Sequence, residues 1–325
     1  MKWNTIKKIL PVIGVGLFIY LIIKLNLIQI LQTIEKVNFF YILIAFAITI
    51  IFFVTQTLKW SLLAIKQKVK IPFKDAFKIN LISSFYGFVT PSKLGSVMRV
   101  SYFKKYGADA GKGLSNFIID KVLDLSSLFV LTIGLGFIFY NKKISSIISP
   151  ISLEIIIGVF LFMVLLSLLF YKKETCKPIL RFFYRIFIPK RLKEKSKKMF
   201  NSFYEDMPPF GFLLFVFIIN LINWMVNYVI MYFIGLSLGI NIGIIPFLVI
   251  LPMATVVAQI PITINGLGTR ELTMISLFAL FGISAVKVFS MSILGIIITN
   301  IIPSLIAMIF IMSEKKNEIH NIKTS

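Results

Sequence analysis

The chain has 325 residues, of which 58% are apolar and 15% are charged, and its 35 Lys and Arg outnumber its 13 Asp and Glu. A soluble globular domain is about 45–50% apolar and about 25% charged, so this composition excludes most soluble folds. A nucleic-acid-binding protein can reach the same net charge of +22, but not together with a mean hydropathy of +0.92. We therefore expect an all-α, polytopic integral membrane protein without a nucleic-acid partner.

Charge-free segments predict where the chain crosses the membrane, because a spanning helix needs about 20 mostly apolar residues and a buried charge is costly. The sequence predicts six spans, near residues 8–25, 39–58, 116–140, 151–171, 210–235 and 286–312. Residues 76–113 and 240–284 remain between spans, and Pro and Gly interrupt both. We interpret each as a re-entrant helical pair, although residues 244–262 are also long enough to cross completely.

The basic residues predict the orientation of the chain, since Lys and Arg in short loops mark the cytoplasmic side. With six spans, most of the 35 basic residues fall in segments on one side of the membrane. Those segments are residues 1–8, 59–78, 93–112, 172–198 and 315–323. The sequence thus predicts a multi-pass plasma-membrane protein with both termini in the cytoplasm, and Lys59 is counted among the cytoplasmic charges.

The scarcity of Cys and His argues against several enzyme classes. The chain has one Cys, Cys176, and one His, His320, so neither a disulfide framework nor a zinc site is expected. No segment matches the phosphate-binding pattern G-x-x-x-x-G-K-[ST], which argues against an ATP-driven protein. We expect no cofactor, no metal and no catalytic residue.

Two short segments resemble each other and indicate an internal repeat. In each, a Pro precedes a Gly, and an Arg follows four residues after that Gly. The first contains Pro91, Gly95 and Arg99, and the second contains Pro261, Gly266 and Arg270. Each copy precedes the last span of a three-span half.

The repeat predicts an inverted topology within a single membrane domain covering residues 1–325. Three spans per half reverse the second half, so residues 1–145 and 146–325 have opposite orientations, as in many transporters. Irregular backbone at membrane depth is tolerated only where it is buried or lines a watery cavity. We therefore predict a central cavity flanked by Arg99 and Arg270.

The two Arg are the strongest candidates for binding phosphate, because a guanidinium presents a planar set of donors. For Arg99, the alternative is an ordinary cytoplasmic charge. Asp120 and Asp124 are four residues apart and share one helix face, near the start of the third predicted span. They can contact a cationic headgroup, take up a proton or pair with Arg99, or they can be a solvated helix start. Glu271 adjoins Arg270, but adjacent helical residues diverge, so pairing is not assumed.

Further candidates are polar or permit tight turns. Asn220, Asn223 and Asn227 form one stripe on the fifth span, which either lines the cavity or packs against a neighbouring helix. Pro91 and three glycines can form tight turns, can let the backbone approach a ligand closely, or can be ordinary loop residues. The glycines are Gly95, Gly266 and Gly268.

Three blocks resemble the flippase-like transmembrane region of lysylphosphatidylglycerol synthases and its stand-alone membrane relatives. The family patterns are P-x-x-x-G-E-x-x-R, an acidic-basic-x-x-D-L motif and G-x-G-x-R-E. Here they correspond to residues 91–99, 120–125 and 266–271, and the resemblance extends from about residue 8 to 312. One departure is Ser96, which stands where the family has Glu.

The resemblance implies a lipid translocase, which moves phosphate-containing headgroups or a polyprenyl-phosphate carrier. Asp120, Asp124 and Glu271 would tune charge or couple transport to protons. Family members that transfer lysine carry a large soluble domain after the membrane region, so we expect no enzymatic activity here. The alternative is a lipid-presenting or transferase-associated subunit. Expected partners are membrane lipids and, in the alternative, a soluble lipid-modifying enzyme.

Overall fold

The computed structural model describes residues 15–90, 94–138, 193–259 and 266–324, together with residues 157, 158, 160, 161, 174 and 263. All regular secondary structure in these residues is helical. The α-helices of the described segments are numbered α1 to α12 in chain order.

The first two described helices meet at a sharp bend. Helix α1 (Val15–Lys24) and helix α2 (Leu27–Glu35) enclose an angle of 80°. Asn26 lies at the bend with a left-handed φ of 62°, and its side chain caps α2 by accepting a hydrogen bond from the Ile28 N–H at 3.0 Å. Asn is one of the few non-glycine residues that commonly adopt this backbone conformation.

A long helix and an interrupted segment follow. Helix α3 (Phe39–Lys66) is succeeded by α4 (Phe73–Phe88), a 3₁₀ turn (Leu94–Met98) and α5 (Arg99–Lys105). Helix α6 (Ala110–Ile138) then completes this part of the chain. The interruption between α4 and α6 coincides with the first of the two motif-bearing segments.

Four helices follow between residues 193 and 279. Helix α7 (Lys193–Tyr204) precedes the long α8 (Phe210–Ser237), the shorter α9 (Ile244–Gln259) and α10 (Thr269–Ala279). Helix α9 contains Pro252, which cannot donate a helical hydrogen bond. The break between α9 and α10 holds the second motif.

The last helical stretch is not a regular α-helix throughout. Helix α11 (Ala285–Ile296) passes through a π-helical turn (Ile297–Ile301) into α12 (Ile302–Thr324). Ser284 caps α11 with its side chain. Insertions of a π-helical turn occur often at functional sites, because they redirect side chains within an otherwise continuous helix.

Three described helical stretches are long and apolar enough to cross a membrane, and the bent α1–α2 pair makes a fourth if it is one span. The three are Phe39–Lys66, Phe210–Ser237 and Ala285–Ser313. They confirm a polytopic helical membrane protein and coincide with predicted spans, but α3 continues well beyond residue 58. The predicted span at 151–171 lies almost wholly outside the described residues.

Helices α4 and α9 are each 16 residues long. At 1.5 Å per residue this is about 24 Å, which is shorter than the hydrocarbon core of about 30 Å. The described part of each helix is therefore shorter than the hydrocarbon core that a spanning helix must cross.

Helices α3 and α8 pack side by side. Helix α6 packs on α9 and α12 packs on α4, so each of the two short helices is covered by a longer helix that is distant in the chain. The largest core cluster joins α8, α9, α10 and α11 and includes Trp224, Phe247 and Phe278. The outer face of α3 exposes Phe39, Phe40 and other large apolar side chains, as expected of a surface that contacts lipid.

An ion-pair cluster ties the loop before α8 to the beginning of α6. The Asp206 carboxylate lies 2.6 Å from Lys68 Nζ and accepts a hydrogen bond from Lys112 Nζ at 2.9 Å. These hydrogen bonds, that of Lys68 first, lower the pKa of Asp206 from its ordinary value. The same contact with Asp206 raises the pKa of Lys68.

We expect Asp206→Asn to lower the free energy of unfolding at pH 7 by at most about 1 kcal/mol, because the pairs are near the surface. A depressed carboxylate pKa contributes stability above the unfolded value of about 3.9, and that contribution is lost as the pH falls through the lower folded value. Thermal unfolding of the detergent-solubilised protein between pH 7 and pH 3 should show the two proteins converging. A difference that stays constant with pH would contradict this role, and the exposed Asp109→Asn is the matched control.

Candidate functional site

A polar cavity of about 160 Å³ lies between α3, α4, α6, α8, α9 and α10, and we call it the central cavity. It has room for on the order of ten water molecules, and so for a small polar group rather than an acyl chain. Its charged lining residues are Arg99, Asp120, Lys121, Asp124 and Arg270. The structure thus brings the two Arg of the similar segments to one cavity.

Arg99 is the first residue of α5 and is buried, with 6% of its side chain exposed. Its Nη2 donates to Asp120 Oδ2 at 2.5 Å. The guanidinium carbon also lies 5.7 Å from the ring centroid of Trp60 and 5.2 Å from that of Phe117, within the range of cation–π attraction. Arg99 is therefore not a solvated cytoplasmic charge.

Asp120 and Asp124 lie well inside α6, which begins at Ala110. Asp120 is buried, and Asp124 has 22% of its side chain exposed. The interpretation of this pair as a solvated helix start is therefore wrong. The helix begins earlier than the predicted span, because the polar residues that precede the apolar run are also helical.

Lys59, which the charge distribution predicts to be one of the cytoplasmic charges, is buried inside the protein. It lies within α3, with 2% of its side chain exposed, because the helix continues to Lys66. Its Nζ donates to Asn220 Oδ1 at 2.7 Å and lies 3.0 Å from Asp120 Oδ1 and 3.6 Å from Asp124 Oδ1. Lys59 and the polar Gln56 are three residues apart and so share one face of the helix. This polar face is the sequence signal that could have identified Lys59 as a site residue.

The Asn stripe on α8 divides into two roles. Asn220 is fully buried and donates to Ser127 Oγ at 3.0 Å, besides accepting from Lys59, so it joins α8 to α6 and α3. Asn223 and Asn227 line the central cavity. Asn223 also accepts a hydrogen bond from Thr55 Oγ1 at 2.7 Å. Both alternatives for the stripe thus occur, at different positions.

Arg270 and Glu271 form a pair that was not assumed from the sequence. Arg270 donates to Glu271 Oε1 from Nε at 3.1 Å and from Nη2 at 2.9 Å, and Nη2 also donates to Ser292 Oγ at 2.8 Å. Glu271 is fully buried and accepts a hydrogen bond from Ser292 at 2.6 Å. Its other oxygen accepts the Gly268 N–H at 2.6 Å, which draws the carboxylate back over the start of α10 and towards Arg270.

The glycines build turns and do not line the central cavity. Gly266 and Gly268 have φ of 74° and 84°, which glycine adopts without a steric cost. The N–H of Gly95 donates to Thr90 Oγ1 at 2.7 Å, close under α4. Pro91 lies outside the described residues, whereas Ser96, which stands where the family has Glu, lines the central cavity.

Other residues at the cavity were not anticipated. Thr299 and Asn300 reach it from the π-helical turn, and Lys121 reaches it from α6. A second cavity of about 50 Å³ shares Asn227, Thr299 and Arg270 with the first, so Arg270 lies between the two. Among the described residues, no three Asp, Glu, His or Cys side chains are grouped as a metal site.

Comparison with known proteins agrees with the resemblance noted in the three blocks. A family model described as Lysylphosphatidylglycerol synthase TM region matches residues 9–307, which include both Arg and all three blocks. Comparison with curated proteins gives no match. The chain therefore belongs to the lysylphosphatidylglycerol synthase TM region family, whose membrane region indicates a lipid-related function.

Proposed function

We propose that this protein is a lipid translocase of the plasma membrane, which moves phosphate-containing lipid headgroups, or a polyprenyl-phosphate carrier, through the central cavity. It acts without making or breaking a covalent bond, and both of its termini lie in the cytoplasm. The observation that carries the proposal is that Arg99 and Arg270, from separate and similar segments, line the same cavity. Guanidinium groups are well suited to phosphate.

The two Arg differ in how accessible they are to a phosphate, which indicates the order in which they bind it. Arg270 has 22% of its side chain exposed, and its Nη1 has no hydrogen-bond partner among the described residues. Arg99 is buried against Asp120. A phosphate therefore meets Arg270 first in this conformation.

Arg99 can become available without leaving its partner uncompensated. Asp120 lies against both Arg99 and Lys59, so when Arg99 turns to a phosphate, Lys59 still balances the carboxylate. An unpaired charge in this place would be strongly unfavourable. Asp124, the more exposed carboxylate, is the better candidate for charge tuning or proton coupling.

An inverted repeat of residues 1–145 and 146–325 accounts for the pairing of helices. Helices α3 and α8 pack on each other, and the contacts of α6 with α9 and of α12 with α4 are related as a two-fold axis would relate them. Helices α4 and α9 are equal in length and each precedes a motif-bearing break. These features support two re-entrant pairs that approach the cavity from opposite faces.

The proposal is tested by lipid exchange in proteoliposomes that contain fluorescent phosphodiester lipids, with an impermeant quencher outside. We expect the wild-type protein to accelerate exchange between leaflets. Arg270→Ala should reduce the rate at least about tenfold, because charge-assisted hydrogen bonds contribute about 1.5–3 kcal/mol. Arg99→Ala should have a similar effect in protein that still elutes as a folded species.

Lys36→Ala is the control, because Lys36 is an exposed cation at the end of α2. Undiminished exchange in both Arg variants would contradict the phosphate relay. Absence of exchange with every lipid would favour the lipid-presenting subunit instead.

A further inference from the structure

The central cavity has more uncharged polar side chains than charged ones, and the phosphate relay leaves them unused. Six of them are carboxamides: Gln56, Asn80, Asn223, Asn227, Gln259 and Asn300. A carboxamide both donates and accepts hydrogen bonds, as a hydroxyl group does, whereas an ionised phosphate oxygen only accepts. The lining therefore includes hydrogen-bond acceptors to which an ionised phosphate cannot donate.

Much of this hydrogen-bonding capacity is available to a ligand. The side chains of Asn227 and Gln259 line the cavity and make no hydrogen bond to other described residues, so each amide presents both a donor and an acceptor. Asn223 accepts from Thr55 through Oδ1, and Gln56 accepts from Asn80 through Oε1 at 3.1 Å. Both keep an NH₂ group that has no partner among the described residues. The cavity thus presents donors and acceptors on α3, α8 and α9.

The charge of the lining limits the charge of the ligand. Three basic side chains and two acidic ones line the central cavity, which leaves one net positive charge. Lys59 and Glu271, buried behind this lining, are of opposite sign and do not alter the balance. A single net charge matches a monoanionic phosphodiester whose remaining headgroup is neutral.

We infer that the central cavity binds a phosphodiester lipid whose headgroup is an uncharged sugar or polyol. The phosphate lies at Arg270, and the carboxamides bind the hydroxyl groups. Asn227 is near enough for this, because it shares both cavities with Arg270. The inference rests on the proposed lipid function and specifies its substrate class.

Binding to the full-length protein in detergent tests this inference independently of transport. The probes are dihexanoyl phosphatidylglycerol and dihexanoyl phosphatidylinositol, with dihexanoyl phosphatidylmethanol as the phosphodiester of equal charge that lacks headgroup hydroxyls. Thermophoresis should show the two hydroxyl-bearing lipids binding at least about tenfold more tightly, since each net hydrogen bond contributes about 0.5–1.5 kcal/mol.

Asn227→Leu and Gln259→Leu should each weaken binding of the hydroxyl-bearing lipids about threefold to tenfold. Neither should change phosphatidylmethanol binding more than about twofold, because neither side chain binds the phosphate. Gln29→Leu, at an exposed position on α2, is the matched control and should change nothing. Competition by a polyprenyl phosphoryl hexose separates a sugar-carrier substrate from a polyol glycerolipid.

Equal binding of phosphatidylmethanol, or no binding of any lipid, would overturn the inference. So would a hydroxyl preference that both Leu variants retain. Exchange that depends on Arg270 but shows no hydroxyl preference would leave the proposed translocation intact and refute only the headgroup. A hydroxyl preference without exchange would support the headgroup and refute translocation.

Discussion

Replacing Asp120 with Asn is expected to lower the free energy of unfolding by about 3–5 kcal/mol, the cost of removing one partner of a buried ion pair. Asp120 lies 2.5 Å from Arg99 and 3.0 Å from Lys59, and the two cationic side chains are only 6% and 2% exposed. A neutral amide leaves both cations without their nearest counter-charge. Asp124 compensates Lys59 only in part, from 3.6 Å.

Denaturant titration in mixed micelles measures this effect, with Asp109→Asn as the control because that carboxylate is 54% exposed and 3.8 Å from its partner. Lys59→Met should be less damaging, since Asp120 then keeps Arg99. If Asp120→Asn costs less than about 1 kcal/mol, which is typical of exposed pairs, Asp120 does not stabilise the protein as a buried counter-charge.

Glu271→Gln is expected to have the second large effect, a loss of about 3 kcal/mol together with loss of lipid exchange. Glu271 is fully buried and accepts hydrogen bonds from Arg270, Ser292 and the Gly268 N–H. The neutral amide cannot balance Arg270, and its NH₂ group opposes one of the three donors. The start of α10 and the guanidinium of Arg270 would both lose their position.

A double-mutant cycle of Glu271→Gln with Arg270→Gln separates pairing from other effects. We expect a coupling energy in the range of about 0.5–3 kcal/mol, as for residues in direct contact. Glu35→Gln, at the exposed end of α2, should have no comparable effect. If the losses of unfolding free energy at positions 270 and 271 are additive, the ion pair between the two side chains does not contribute to stability.

Helix positions followed from the sequence wherever a long apolar run set the boundaries. Helices α8 and α11–α12 lie where the charge-free runs predicted spans. A sufficiently long apolar run is enough for a spanning helix, so composition alone locates it. Helix α3 continues to Lys66, eight residues past the end of the predicted span at residue 58. A Lys can continue a helix inside the protein when carboxylates and an amide compensate it, as they do at Lys59.

The partners of the site residues depended on distant parts of the chain. Arg99 was identified from its motif, yet its position between Trp60 and Phe117 and against Asp120 results from the packing of α3, α5 and α6. The pairing of Arg270 with Glu271 depends on a cap formed with Gly268 and on Ser292 from α11. Sequence spacing describes one helix at a time, so it contains neither the contacts of Arg99 nor the contact of Arg270 with Ser292.

The sequence by itself determined that this is a helical membrane protein, and that two similar segments each carry an Arg beside a break. Apolar content, the distribution of charge and local motifs suffice for those conclusions, because each depends on neighbouring residues. Only the tertiary structure decided that both Arg share one cavity, that Lys59 belongs to the charged cluster, and that six carboxamides line the same space. Those features arise where helices that are distant in the chain pack together, and a buried charge is compensated there by groups from several helices.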